Sequence, residues 1–118
     1  MGITENSLRM TLSENSVMQV LWNAKEPMTS RQIVEAVQAA GQATWEPRSV
    51  FVLLNKLMKK KLVHVVGYAN VGGAIARRFE PTMTKAEYLA FVVMDELSEE
   101  ELPEFLESFS KKENSIAS

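Results

Sequence analysis

WEPRSVFVLLNKLMKKKLV, residues 45–63, is the stretch whose reading decides the fold. Pro47 fixes φ near the helical value and lacks the donor that a first turn leaves unused, so it predicts a helix start. Val50, Leu53, Leu54, Leu57 and Met58 recur at steps of three and four, which puts one apolar stripe on that helix. The other side is read as Arg48, Ser49, Asn55, Lys56 and Lys59, donors to phosphates or base edges with no acid among them. A short helix with a buried stripe and an acid-free donor face meets the requirements of a groove-reading helix. An ordinary amphipathic core helix with a solvated basic side fits the same residues equally well.

The charges around this stretch bear on that choice. The formal net charge is -2, yet residues 1–81 hold ten Lys or Arg against six Asp or Glu, net +4, and residues 82–118 hold three against nine, net -6. DNA binding depends on local positive potential, so the basic front is the relevant figure. With 118 residues, 46% of them hydrophobic, the chain has material for one compact core and an appended arm. Zero cysteines and a single histidine, His64, leave no thiolate, zinc or haem site, and no cofactor is expected. No apolar run reaches the length of a membrane span, and MGITENSLRM lacks the basic-then-apolar order of a secretion signal, which places the chain in the cytoplasm.

Upstream of the deciding stretch, residues 1–9 have no periodicity and are read as a loose leader. MTLSENSVMQVLWNA is a first helix: Thr11 and Glu14 form a capping box, and Val17, Met18, Leu21 and Trp22 form the buried stripe. Lys25, Glu26 and Pro27 end it. TSRQIVEAVQAAG repeats the signal, with Thr29 and Gln32 as the box, Ile33, Val34 and Val37 inward and Gly41 as the stop. Ser30 and Arg31 lie beside the free amides of its first turn, a phosphate clamp or a plain exposed helix start.

Downstream, the period changes at Leu62. LVHVV is a β-rich run, GYANVGG a glycine-bearing turn and AIARRFE a returning strand that stops at Pro81. Arg77 and Arg78 are adjacent and so point to opposite faces of that strand; Arg78 is assigned to a flanking phosphate. His64 is read as a strand surface residue. From Thr82 the helical period returns, with Thr84 and Glu87 and then Ser98 and Glu101 as capping boxes, and Pro103 confined to the first turn of the last helix. Tyr88, Leu89, Phe91, Val92, Val93 and Leu97, then Leu102, Phe105, Leu106 and Phe109, give more apolar surface than these helices can bury alone, and pairing with a second copy accounts for it. ENSIAS at the end is read as frayed. Three helices followed by a hairpin is the order of a winged helix-turn-helix. The expected fold is therefore mainly α with a small β-hairpin, residues 1–81 forming a winged helix-turn-helix DNA-binding domain and residues 82–118 a helical dimerisation segment.

Three stretches in order resemble the penicillinase-repressor family, the BlaI/MecI and CopY group of winged-helix transcriptional repressors: MTLSENSVMQVLW (Met10–Trp22), PMTSRQIVEAV (Pro27–Val37) and SVFVLLNKLMKKKL (Ser49–Leu62). They are similar to the family's L-T-x-x-E-x-x-V-M-x-x-L-W, P-x-T-x-R-E-I and T-V-x-T-L-L-x-R-L-x-K-K-G-L, and Trp45 stands where the family often has a tryptophan. The resemblance covers roughly residues 10 to 65 well and the remainder loosely. It implies a homodimer that binds a pseudo-palindromic operator, blocks transcription and pairs through its C-terminal helices.

The departures are specific. Phe51 and Val52 stand where the family usually has polar residues on the recognition helix; a phenyl ring can meet a thymine methyl but cannot hydrogen-bond a base edge. Lys61 replaces the usual helix-ending glycine, and Ile75 falls near where a wing-tip arginine is expected. The Asn-Phe bond cut in β-lactam-pathway repressors and the paired C-x-C motifs of copper-responsive members are both missing, so neither induction mechanism carries over. The assigned DNA-binding set is Ser30, Arg31, Arg48, Ser49, Phe51, Val52, Asn55, Lys56, Lys59, Lys60 and Arg78. The competing reading is a winged-helix interaction module that does not read DNA and holds a protein through Phe51, Val52 and the acidic tail. An enzyme has least support: there is no nucleophile pair and no phosphate-cradling glycine loop, and Glu99, Glu100 and Glu101 sit at a helix start for structural reasons.

Overall fold

The computed structural model describes residues 9–117, with side chains described through Lys111. The expectation of a loose leader falls on residues 1–8, outside the described part. The chain order is α1 (Leu12–Asn23), β1 (Met28–Thr29), α2 (Ser30–Ala39), a 3-10 turn (Pro47–Ser49), α3 (Val50–Lys59), β2 (Val63–Val71), β3 (Ala74–Pro81), α4 (Lys85–Glu96) and α5 (Leu102–Ala117). Two compact units divide after Lys85.

Both capping boxes at the front form. Thr11 Oγ1 accepts from the Glu14 amide at 3.1 Å while Glu14 Oε1 accepts from the Thr11 amide at 2.9 Å. Thr29 and Gln32 repeat the exchange at 3.3 and 2.8 Å. These bonds satisfy amides that the first turn of a helix leaves without partners. The core of the first unit is the set the apolar stripes required: Val17, Met18 and Leu21 from α1, Ile33 and Val37 from α2, Val50, Leu53, Leu54 and Leu57 from α3, then Leu62, Val63 and Phe79. Val34, Met58 and Trp22 are half-buried rather than core. Trp22 still anchors the unit, because its Nε1 donates to the Met83 carbonyl at 2.9 Å.

The sheet differs from the expected hairpin in two ways. It has three antiparallel strands in the order β1-β3-β2, with Met28 opposite Phe79 and Thr29 opposite Arg78. A two-residue strand carries too little alternation to be read from sequence. Further, most of GYANVGG is strand: β2 runs to Val71, and only Gly72 and Gly73, at φ 58° and 87°, make the turn. Both glycines adopt the left-handed backbone that a two-residue hairpin loop demands, and the Asn70 side chain closes the loop by accepting from the Gly73 amide at 3.0 Å. The ladder slips between Val65 and Gly67, leaving Val66 as a bulge.

Pro47 does not start α3 directly. It opens a 3-10 turn in which the Ser49 amide bonds Glu46 O at 2.8 Å, and α3 begins at Val50. In the second unit, Ser98 and Glu101 exchange amide–side-chain bonds at 3.0 and 3.2 Å just before α5, and Pro103 lies in its first turn. The helix continues through Ala117, so ENSIAS is helical up to that residue rather than frayed. Among the described residues no helix is long and apolar enough to cross a membrane.

Candidate nucleic-acid interface

α2, the loop after it and α3 form the helix-turn-helix, and the outward side of α3 is its candidate reading surface. Because α3 begins only at Val50, that side consists of Phe51, Val52, Asn55, Lys56 and Lys59, all exposed, with Arg48 and Ser49 in the preceding turn. Arg48 and Ser49 thus precede the helix rather than lie on its face, whose first turn is apolar, with Phe51 52% and Val52 55% exposed, and whose following turns are polar. Asn55 and Lys59 follow Phe51 at steps of four, and Lys56 follows Val52 likewise, so two rows run along one face. α3 contains no acid, and neither Lys56 nor Lys59 is in an ion pair among the described residues. Arg48, also exposed, bonds the exposed Glu46 at 3.0 Å; such a pair contributes little and opens readily for a phosphate.

Two contacts fix how α3 is presented. At its start, Trp45 Nε1 donates to Ser16 Oγ at 3.0 Å, and that hydroxyl donates to Ser13 O at 2.6 Å, so the approach to α3 is held by α1. At its end, the Leu62 amide bonds Leu57 O at 2.9 Å and the Lys61 amide bonds Met58 O at 3.0 Å. This is a Schellman stop with Lys61 at φ 63° in the position that favours glycine. α2 ends the same way, with Gly41 at φ 71°.

Lys60, assigned above to the DNA-binding set, is engaged within the fold. Its Nζ bonds Glu14 Oε1 and Arg9 O, each at 2.7 Å, and Glu14 is 1% exposed. A lysine neutralising a buried carboxylate is committed to the fold. Lys59 and Lys60 are adjacent in sequence, but one helical step turns the second toward α1, and nothing local signals its distant partner.

The adjacent arginines of β3 separate as expected, but with a different outcome. Arg78 is half-buried and points to the α1–α2 connection, with Nη2 3.4 Å from both Glu26 Oε1 and Pro27 O. It shares an open cleft of about 600 Å³ with Arg31 and Glu35, and Arg31, at the exposed start of α2, faces Glu35 at 3.6 Å. Ser30 beside it is half-buried. Arg77 lies on the core-side face of the hairpin, its guanidinium 5.2 Å over the ring of Phe79, and is exposed with no ion-pair partner among the described residues. Farther out on that face stand Tyr68, opposite Arg77, and Ile75, 66% and 72% exposed. Strand parity made these positions readable only once the register and the Val66 bulge were known. His64, on the other face, meets Glu80 at 3.3 Å.

In the second unit the apolar residues divide by exposure. Leu89, Phe91, Leu106 and Phe109 are about half exposed or more, as is Met94, which sequence reasoning did not single out. Val92, Val93, Leu97, Leu102 and Phe105 are half-buried and Tyr88 is buried. Phe105 and Phe109 stack edge to face at 5.1 Å.

Known proteins resemble this chain in sequence and in fold. The chain is 32% identical over 88 residues to the transcriptional regulator BlaI of Mycobacterium tuberculosis, in strains CDC 1551 / Oshkosh and ATCC 25618 / H37Rv alike, a match covering 75% of this chain. It spans 59% of the length of those curated relatives. The solution structure of the DNA-binding domain of the repressor BlaI superposes with a TM-score of 0.50 at 19% identity, over 68% of this chain and 88% of that one. The Helicobacter pylori ferric uptake regulator Fur gives 0.50 at 19% identity, over 62% and 47%. At such identities the structural likeness speaks to the fold, a winged helix-turn-helix. The family model described as penicillinase repressor matches residues 10–117, and the chain belongs to that family.

Proposed function

We propose that this protein is a homodimeric, sequence-specific DNA-binding repressor of transcription, acting on operator DNA in the cytoplasm. The observation that carries the reading is the outward face of α3, free of acids and bearing Lys56 and Lys59 outside any ion pair among the described residues, in a chain of the penicillinase repressor family. The basic front draws in the polyanion, α3 enters the major groove, and Arg31 and Arg48 meet phosphates beside it. Ser30, Ser49, Asn55, Lys56 and Lys59 complete the contact set on this reading, and Arg77 joins it from the wing, with Arg78 behind. Residues 1–81 act as the head and residues 82–118 as the arm, whose exposed Leu89, Phe91, Leu106 and Phe109 meet a second copy. Dimerisation spaces two heads on two half-sites, and occupancy of the operator blocks transcription. No catalytic activity is assigned.

Exposed Phe51 and Val52 also favour a second reading, a winged-helix module that holds a protein partner. Titration of the full chain against genomic fragments at several salt concentrations separates the two. Salt-steep binding that resists competitor DNA supports the repressor; no retention at low salt supports the module.

A further inference from the structure

We infer that the first turn of α3 is a thymine-methyl reader, so that the half-site core is a set of A·T pairs recognised by apolar contact through Phe51 and Val52. The inference rests on the DNA-binding reading above and names what that surface selects. Phe51 and Val52 are the second and third residues of α3, the end of a recognition helix whose side chains reach base edges, and both are about half exposed. Neither can donate or accept a hydrogen bond. The floor of the major groove offers such side chains one apolar group, the C5-methyl of thymine. Asn55 stands one turn beyond Phe51 on the same face, and its amide pairs with N6 and N7 of adenine, the base opposite thymine. A single A·T step thus satisfies both kinds of side chain in adjacent rows.

The surroundings decide for a nucleic acid as occupant. An apolar pair of this size on a protein-binding surface calls for a complementary apolar pocket, but here it is followed along the same helix by Lys56 and Lys59, with no carboxylate on α3. Cations framing an apolar patch match a groove whose rims are phosphates and whose floor carries methyl groups.

The test uses the full chain and a random duplex library. Retained duplexes are sequenced, and thymines of the selected half-site are replaced one at a time by deoxyuridine, which removes the methyl and leaves every hydrogen-bonding group in place. Each contacted thymine should lower affinity about fourfold, the loss of one buried methyl contact. The penalty should disappear in the Phe51→Ala, Val52→Ala double variant, whose altered side chains are exposed and not part of the core. Uracil replacement without effect, or an equal penalty in wild type and variant, overturns the inference while leaving DNA binding in place. Failure to retain any duplex at low salt overturns the DNA-binding reading itself.

Discussion

Lys60 Nζ lies 2.7 Å from Glu14 Oε1, the oxygen of a buried carboxylate that also caps α1. One ion pair therefore ties the end of the candidate recognition helix to the start of α1, beside the buried stripe that packs α3 on the core. The carboxylate is out of water, so its lysine and the Thr11 amide are what make its burial tolerable.

Removing either partner should be costly. Glu14→Ala loses a cap and leaves the lysine without its carboxylate, an expected loss of about 3 kcal/mol. Lys60→Met leaves the carboxylate unneutralised and should cost about 2 to 3 kcal/mol. Denaturant unfolding of both single variants and the double variant checks this: the double should cost clearly less than the two singles added together. Additive losses would mean that the two groups do not interact.

Lys61 holds the left-handed position that closes α3, at φ 63°. Glycine relieves a strain of about 1 to 2 kcal/mol but adds freedom to the unfolded chain, so Lys61→Gly should stabilise by about 0.5 to 1 kcal/mol. Lys61→Val should destabilise, since a β-branched residue tolerates that backbone poorly. Thermal unfolding of the two variants decides the sign.

Much of this was legible in the sequence wherever the determining interactions are local. Thr11 with Glu14 and Thr29 with Gln32 are capping partners three residues apart, and the apolar stripes named nearly all of the core. What stayed hidden depends on partners distant in the chain. Nothing beside Lys60 announces that Glu14, 46 residues earlier, is its partner. The choice between Arg77 and Arg78 rests on which face of β3 meets the core, and β1 exists because Met28 and Thr29 happen to reach that strand's edge. That Arg48 and Ser49 precede α3 rather than lie on it follows from a 3-10 turn that delays the helix to Val50, a difference of one turn that Pro47 alone does not signal.

The wing arginines should behave differently on DNA. Arg77, exposed and outside any ion pair among the described residues, is the expected phosphate contact, so Arg77→Ala should weaken binding to all duplexes alike and reduce the salt slope by about 1. Arg78 is half-buried and held by Glu26 and Pro27, and Arg78→Ala should leave the slope nearly unchanged. Equilibrium binding at four or five salt concentrations gives both slopes.

The second unit exposes Leu106 and Phe109 on α5. Leu106→Glu with Phe109→Glu should convert a dimer to a monomer in sedimentation equilibrium while far-UV circular dichroism stays that of a folded chain. Binding to a two-half-site duplex should fall by a hundredfold or more, on the order expected when a second, linked contact is lost. Binding to a single half-site should be unaffected. A variant that remains dimeric would move the pairing surface elsewhere.

The central claim is that α3 and the start of α2 meet phosphates through Lys59 and Arg31 while Lys60 does not. The most direct measurement is the slope of log affinity against log salt for the full chain on a retained duplex, compared with Arg31→Ala, Lys59→Ala. The expected result is a steep negative slope in wild type that flattens by about 2 in the double variant, with Lys60→Met keeping the wild-type slope. A wild-type affinity indifferent to salt, or a slope that Lys60→Met flattens and the double variant does not, would contradict the account.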